Sequence, residues 1–347
     1  MKKFFAVAAS LILSAAMLTA CGSSAAPAAT TGAPETTAAA VTQAPETTEE
    51  TKSFHIAIVQ QLDHASLDEI RLAVEDELTK AAADKGFQVS YKEFNGQNDN
   101  TVLNQIGAQV VSDKYDAIIP IASLAAQCMV TAADGTDIPI VYAAISDPEA
   151  AGLTGLDNVT GTSDALNTAF ILDMMLAANP DIKTVGLLYS NSEANSTTPI
   201  AEAKAYLKEK QIDFVEKTGN TSGEIVEAAA SMVGRVDAVF TPTDNVVMAA
   251  EVTVAETLNE AGIPHYTGAD SFVAAGAFAT CGVNYTELGT YTADMAMDIL
   301  LGGAVPEFHV MDGGIITVNT ETAAILGIDY SVFSSMANTV VEVKTGE

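Results

Sequence analysis

The sequence predicts an α/β fold built from two doubly wound halves. Three observations predict it. Short β-rich runs alternate with helical periods from Phe54 onward, the alternation restarts after a cluster of turn residues at Asn158 to Ser163, and 48% hydrophobic content over 347 residues is ample for buried cores.

The first series opens with the β-rich run Phe54 to Val59 and a loop, Gln60 to Ser66. A helical period follows from Leu67 to Lys85, stopped by Gly86, which can take the left-handed conformation that ends helices. Gln88 to Phe94 reads as a strand, Asn100 to Ser112 as a helix, Ala117 to Ile121 as a strand, Leu124 to Ala133 as a helix and Ile140 to Ala143 as a strand. Strands joined by helices imply a parallel sheet, because a parallel crossover needs a dozen or more residues. After the turn cluster a second series runs from a helix at Ala165 to Ala178. Its strands are Thr184 to Tyr189, Asp213 to Lys217, Ala238 to Thr241 and His265 to Thr267, with helices Pro199 to Lys210, Ser222 to Val233 and Val247 to Ala261 between them. Gly276 to Gly302 holds a short strand and a long helix expected to return to the first half. Gly314 to Val318 and the helix Glu321 to Leu326 cross back to the second. The expected boundaries are 53–164 with 269–311 for lobe 1 and 165–268 with 312–347 for lobe 2.

The segment before this fold reads as an address and a tether. Residues 1–20 have a basic start, Lys2 and Lys3, an apolar stretch from Phe4 to Leu18, and then Leu18-Thr19-Ala20-Cys21-Gly22. This looks like a bacterial lipoprotein signal peptide, in which Cys21 becomes the lipidated first residue, so palmitate or a similar acyl chain is expected there. No later run offers about 18 uninterrupted apolar residues, so the expectation is a membrane anchor through lipid alone. Residues 21–52 are mostly Ala, Thr, Pro, Ser and Glu, with Ala33-Pro34-Glu35-Thr36-Thr37 repeated as Ala44-Pro45-Glu46-Thr47-Thr48. Such composition buries too little apolar surface to offset chain entropy, so it predicts a flexible tether.

Charge and residue types exclude several functions. With 45 acidic and 15 basic residues the net charge is −30, which repels nucleic acid. Arg71 and Arg235 are the sole arginines, which leaves few of the bidentate clamps that phosphorylated ligands attract. The absence of Trp removes the indole platform on which sugars often stack. His55, His64, His265 and His309 are scattered, so no metal site and no cofactor is expected, and His64 could titrate or stack on a ligand but reads first as an ordinary solvated or hydrogen-bonding loop histidine. Of three cysteines, Cys128 and Cys281 sit in apolar runs and read as free buried thiols, a disulfide between them staying open. No Gly-x-Ser-x-Gly elbow, Walker loop or Gly-x-Gly-x-x-Gly motif points to an enzyme. Acidic residues on helices, Glu69, Asp76, Glu77, Glu202 and Glu251, read as a solvated face, and Met174, Met175, Met295 and Met297 as core filler.

A resemblance gives these elements a family. The stretch from about His55 to Ile328 resembles the substrate-binding proteins of ABC importers with the type I periplasmic-binding fold, in the branch that includes aromatic amino-acid binders. It is carried by Ile58-Val59-Gln60 with His64-Ala65-Ser66-Leu67-Asp68, Pro139-Ile140-Val141-Tyr142 with Asp147-Pro148, and Asn158-Val159-Thr160-Gly161. Val185-Gly186-Leu187-Leu188-Tyr189, Glu193-Ala194-Asn195-Ser196, Pro242-Thr243-Asp244-Asn245, Gly268-Ala269-Asp270 and Tyr285 with Leu288-Gly289 continue it. The chain departs from that pattern at Ala65, where Pro is common, and at Asn98-Asp99, where Gly-Asp is common. The resemblance implies two Rossmann-like lobes joined by a hinge, a small-molecule ligand held between them, an ABC permease as partner, an extracytoplasmic location and a monomer. A sensing receptor that signals to a membrane partner, a sugar or nucleoside binder, and an extracytoplasmic hydrolase are the competing functions.

An amino-acid zwitterion needs donors for its carboxylate and acceptors for its ammonium. Ile121 to Gln127 follows a predicted strand and opens a helix, so its N–H groups and the Ser123 hydroxyl suit an anion, with Ser123 equally able to act as an N-cap. Asp147, Asp244 and Asp270 stand at predicted strand ends and can accept from an ammonium. The first two are equally turn formers, and Asp270 is the leading candidate. Asn195, Ser196 and Asn245 precede or open helices and can cap them or reach a ligand. Gln60 and Gln61 sit at the mouth of the first strand, one of them facing outward.

Overall fold

The computed structural model describes residues 51–346, so Cys21, the leader 1–20 and all of the tether 21–52 except Thr51 and Lys52 lie outside the described residues. The strand β1 (Ser53–Gln60) is followed by the helix α1 (Ala65–Lys85), β2 (Gln88–Asn95), α2 (Asn100–Ser112), β3 (Ala117–Ile121), α3 (Ser123–Ala132), β4 (Ile140–Tyr142) and β5 (Val159–Ser163). There follow α4 (Thr168–Ala178), β6 (Thr184–Tyr189), α5 (Thr197–Glu209), β7 (Asp213–Thr218), α6 (Ser222–Ala230), β8 (Ala238–Thr241), α7 (Asn245–Met248), α8 (Glu251–Glu260), β9 (His265–Thr267), α9 (Asp270–Ala274) and β10 (Ala279–Gly282). The chain ends with α10 (Tyr285–Leu300), β11 (His309–Val310), β12 (Ile315–Asn319), α11 (Thr320–Leu326) and β13 (Thr339–Val343).

These strands form two sheets. One has six strands in the order β11-β5-β4-β3-β1-β2, all paired in parallel. The other has seven, β13-β12-β10-β9-β8-β6-β7, parallel except where β10 meets β12. In β1 the side-chain alternation is visible in the packing. Ile56 and Ile58 join α1 and α10 on one face, while Ala57 and Val59 join α2 and α3 on the other. Met174, Met175, Met295 and Met297 are buried, as the sequence predicts. Cys128 and Cys281 are both buried and free. No helix among the described residues is long and apolar enough to cross a membrane.

Several elements differ from the expectation, each for a physical reason. The cluster at Asn158 to Ser163 is mostly strand. Val159–Ser163 is buried in the six-stranded sheet, and its threonine hydroxyls are satisfied by α10, with Thr162 bonded to Thr292 Oγ1 at 2.8 Å. Gly161 is required there because β4 passes so close. A Cβ would lie 2.1 Å from the Tyr142 carbonyl oxygen. Gly161→Ala is therefore expected to lower stability by about 3 kcal/mol, measured by urea unfolding, and an unchanged midpoint would refute the close-approach argument. The short strand expected to return to the first lobe, β10, instead pairs with β9 and β12 in the seven-stranded sheet. The return comes one step later, at residues 283–284, and the other passages between sheets are at 164–167 and 311–314. Val247 to Ala261 is two helices, broken at Ala249 and Ala250. Glu251 is not on a solvated face. It is fully buried against His265 Nδ1 at 2.9 Å, a partner supplied by β9. Asn98, where the family pattern has Gly, takes φ of +53°, a left-handed conformation that Asn tolerates better than most residues, and Asp99 then caps α2 through Thr101 and Val102 N–H.

Candidate functional site

Strand order locates the site. The connections diverge between β1 and β3 in one sheet and between β6 and β8 in the other, and open α/β sheets hold ligands beyond the carboxyl ends of their strands at such points. Those four ends deliver Gln60 and Gln61, Ala122 and Ser123, the 190–196 segment, and Asp244 with Asn245. Hydrogen bonds join all four. Gln61 is fully buried; its Oε1 accepts from Leu124 N–H at 3.0 Å, while Nε2 donates to Asn98 Oδ1 at 2.8 Å and across to Glu193 Oε1 at 2.9 Å. Glu193 Oε2 in turn accepts from Asn245 Nδ2 at 2.6 Å, and Asn245 Oδ1 lies 3.0 Å from His64 Nε2 on the opposite sheet.

The candidates read from the sequence divide by position. Gln60 turns back into its own half, donating to Leu62 O and Asp68 Oδ1, both at 2.8 Å, and accepting from Arg71 Nε, so Gln61 is the residue that crosses. Ser123 is buried at the first position of α3 and lines the cleft. The cap position before it is Ala122, held at φ +75°, so Ser123 is not the N-cap. Asp147 accepts from Ala150 N–H and, across the rim, from Thr198 Oγ1 at 2.7 Å, and these donors hold its carboxyl below the usual range. Asp244 is fully buried and engaged within its own sheet. Oδ1 caps α7 through Val246 and Val247 N–H, and Oδ2 accepts from Ser190 N–H and Ser196 Oγ. Asn195 donates Nδ2 to Thr243 O at 2.6 Å and lines the cleft, as does Asn245. Asp270 does not meet this group. It faces a separate cavity lined by Glu69, Asn284 and Thr317, where burial first and then Glu69 push its carboxyl up to about 6.

The cleft also contains residues that sequence reasoning missed. Asp164 is wholly buried, accepts from Ser146 Oγ at 3.0 Å and Tyr285 OH at 3.1 Å, and burial raises its carboxyl. It follows β5, so reading that strand as a turn hid its place at a strand end. Ser146, Thr243, Met248, Phe272 and Tyr285 also line it, with His64, which the sequence weighs chiefly as an ordinary loop histidine, and only about 20 Å³ of space remains between the walls. Direct bonds such as Ser146 to Thr243 at 3.0 Å hold the walls together, so this is a closed arrangement. A roomier cavity of about 720 Å³ lies among the passages between the sheets and shares Asp164 and Tyr285 with the cleft, but neither strand switch point reaches it. No Lys or Arg lines the cleft, whereas Asp164 and Asp244 do, with Glu193 just behind Asn245. Two buried polar atoms on its walls, His64 Nδ1 and Asn195 Oδ1, have no hydrogen-bond partner among the described residues. The arrangement suits a ligand that brings a cationic donor group and an anionic group for the α3 N-terminus, together with an apolar body for Leu67, Met248 and Phe272.

Residues 55–340 match the family model described as ABC transporter substrate binding protein. The chain is 34% identical over 286 residues, 79% of its length and 81% of the relative's, to a tyrosine-binding protein of Clostridioides difficile (strain R20291). It is also similar to the structure of an ABC domain in complex with L-Trp from Streptococcus pneumonia, at TM-score 0.77 and 29% identity, covering 84% of this chain and 100% of that one. A ligand-free, open substrate-binding protein with adhesive properties from Clostridium difficile matches at TM-score 0.64 and 33% identity, covering 84% and 99%.

Proposed function

The chain belongs to the ABC transporter substrate-binding protein family, and from that premise we propose that it captures an amino acid with an aromatic side chain and delivers it to an ABC permease. The observation that carries the reading is the composition of the closed cleft: acceptors and carboxylates without Lys or Arg, the N-terminus of α3 at Ser123, and apolar side chains between. A phosphate would meet repulsion there, and a zwitterion finds a partner for each of its charges. The names of the tyrosine-binding relative and the L-Trp-bound neighbour support the same ligand class.

In this reading 53–163 with 285–310 and 168–282 with 315–346 act as two lobes that close on the ligand, with 164–167, 283–284 and 311–314 as the hinge, so that 269–282, expected in the first lobe, belongs with β10 to the second. The chain follows the L-Trp-bound neighbour more closely than the ligand-free open one, although it is more identical to the latter, which supports closure as the motion. Lipid on Cys21 would hold a monomer outside the cytoplasm, next to its permease.

Thermal unfolding of the purified protein against the amino acids, with sugars and nucleosides as controls, tests the ligand class. At a concentration about 1,000 times Kd the correct ligand stabilises the folded state by about 4 kcal/mol. A shift with L-Tyr, L-Trp or L-Phe and none with sugars is the expected result. A shift with a sugar or nucleoside alone, or release of such a molecule from the unfolded protein, would overturn the reading.

A further inference from the structure

We propose that His64 Nδ1 and Asn195 Oδ1 form the acceptor pair that receives the ligand's ammonium group, and that Glu193 is a positioning residue that sets the His64 tautomer through Asn245. The proposal rests on the amino-acid reading above. It starts from the hydrogen-bond direction at Glu193. Once pH rises through about 7 and Glu193 is ionised, its carboxylate only accepts, so Asn245 turns its NH₂ toward Glu193 Oε2, 2.6 Å away, and its oxygen toward His64. An amide oxygen also only accepts, so the proton on His64 is on Nε2, 3.0 Å from Asn245 Oδ1. In a neutral imidazole the other nitrogen then carries a lone pair. Burial holds the His64 ring below the usual range for histidine, which favours that neutral form.

Asn195 is oriented by the same logic. Its Nδ2 donates to the Thr243 carbonyl at 2.6 Å, which fixes Oδ1 as the free end. His64 Nδ1 and Asn195 Oδ1 are both shut off from solvent, both lack a donor, and their residues line one cleft from opposite sheets. Buried acceptors are costly to leave unpaired. A primary ammonium carries three donors and can serve both walls at once, and the carboxylates of Asp164 and Asp244 favour its charge. A group that touches both walls stabilises only the closed form, so this pair also couples recognition of the ammonium to closure.

Two substitutions separate this role from a merely structural one. His64→Asn keeps an acceptor near the position of Nδ1 but loses the reach to Asn245. His64→Gln keeps an amide near the position of Nε2 and loses the acceptor. Calorimetric titration with L-Tyr and L-Trp, and with 3-(4-hydroxyphenyl)propionate and 3-(indol-3-yl)propionate, which lack the amine, measures the preference for the ammonium. That preference should fall at least about tenfold in His64→Gln and stay within about threefold of the wild type in His64→Asn. The opposite order, or an unchanged preference in His64→Gln, overturns the proposal while leaving the amino-acid reading intact. A wild-type protein that binds none of the amino acids overturns both. For Glu193, long-range ¹H–¹⁵N spectra should show His64 protonated on Nε2 in the wild type and a mixture of tautomers in Glu193→Gln, because the amide introduced by that substitution can turn either end toward Asn245. A wild-type ring protonated on Nδ1 would overturn the assignment.

Discussion

Replacing Asp244 by Ala will cost the folded protein about 4 kcal/mol, read as a lowered urea midpoint at constant slope. This side chain accepts four hydrogen bonds. Loss of the cap on Val246 and Val247 N–H alone typically costs about 1 kcal/mol. Removing Oδ2 strands the Ser190 N–H, 2.7 Å away, and the Ser196 hydroxyl, 2.6 Å away, in a site that solvent does not reach, at about 1–3 kcal/mol each. Part of this is returned, because burial raises the Asp244 carboxyl and its charge is itself expensive to keep. Asp244→Asn, which retains an acceptor on one side, should lose about half as much. Ligand response should fall in Asp244→Ala even where the protein remains folded, because α7 carries Asn245 and Asn245 orients His64. An Asp244→Ala protein with wild-type stability that loses only ligand binding would instead make Asp244 a direct partner of the ligand.

Asp244 also illustrates what the sequence could and could not say. The strand ends that deliver it were legible, because β1, β3, β6 and β8 are short apolar runs bounded by turn residues and helices of regular period. Which way a side chain leaves a strand end was not. Gln60 and Gln61 are chemically identical neighbours, and one residue of register decides that Gln60 bonds within its own half while Gln61 crosses to Glu193. Asp270 had the same signature as Asp244 and lies on the other side of the crossing segment. Its difference is set by where β9 and α9 sit in the seven-stranded sheet, a long-range fact. The strand β5 was hidden for another reason. Val-Thr-Gly-Thr-Ser carries turn chemistry, and only the tertiary context supplies α10 hydroxyl and sulfur partners, Thr292 and Met295, for its threonines. Glu251 escapes sequence reading in a similar way: an acid in the first turn of a helix is ordinarily solvated, and its burial is made tolerable by His265, fourteen residues later in the chain.

The other large effect is a fall in stability as pH rises, and its sign is opposite to that of ordinary acid unfolding. Burial, and then the nearby Asp244, push the Glu193 carboxyl from its ordinary 4.5 up to about 7. The folded protein therefore holds this proton across a range in which the unfolded chain has released it. Stability is fully present below pH 4.5 and is lost as pH rises through about 7. The difference corresponds to about 3 kcal/mol from this one group. Asp164 and Glu251, also raised by burial, add to it in the same direction, whereas His64, held low by burial, works the other way below its ordinary 6.5. Glu193→Gln isolates the effect because it removes the titrating group and nothing else that titrates. Urea unfolding at pH 5 and pH 8 should show the wild type losing about 2.5 kcal/mol more than the variant, and equal losses would show that Glu193 does not titrate this way. The consequence reaches function. At neutral pH the closed cleft buries carboxylates whose charge no Lys or Arg in its walls offsets, so closure without ligand is weakened just where a cationic ligand group would compensate it. Binding of an ammonium should then expel a proton, and affinity should rise with pH through the range in which Glu193 titrates.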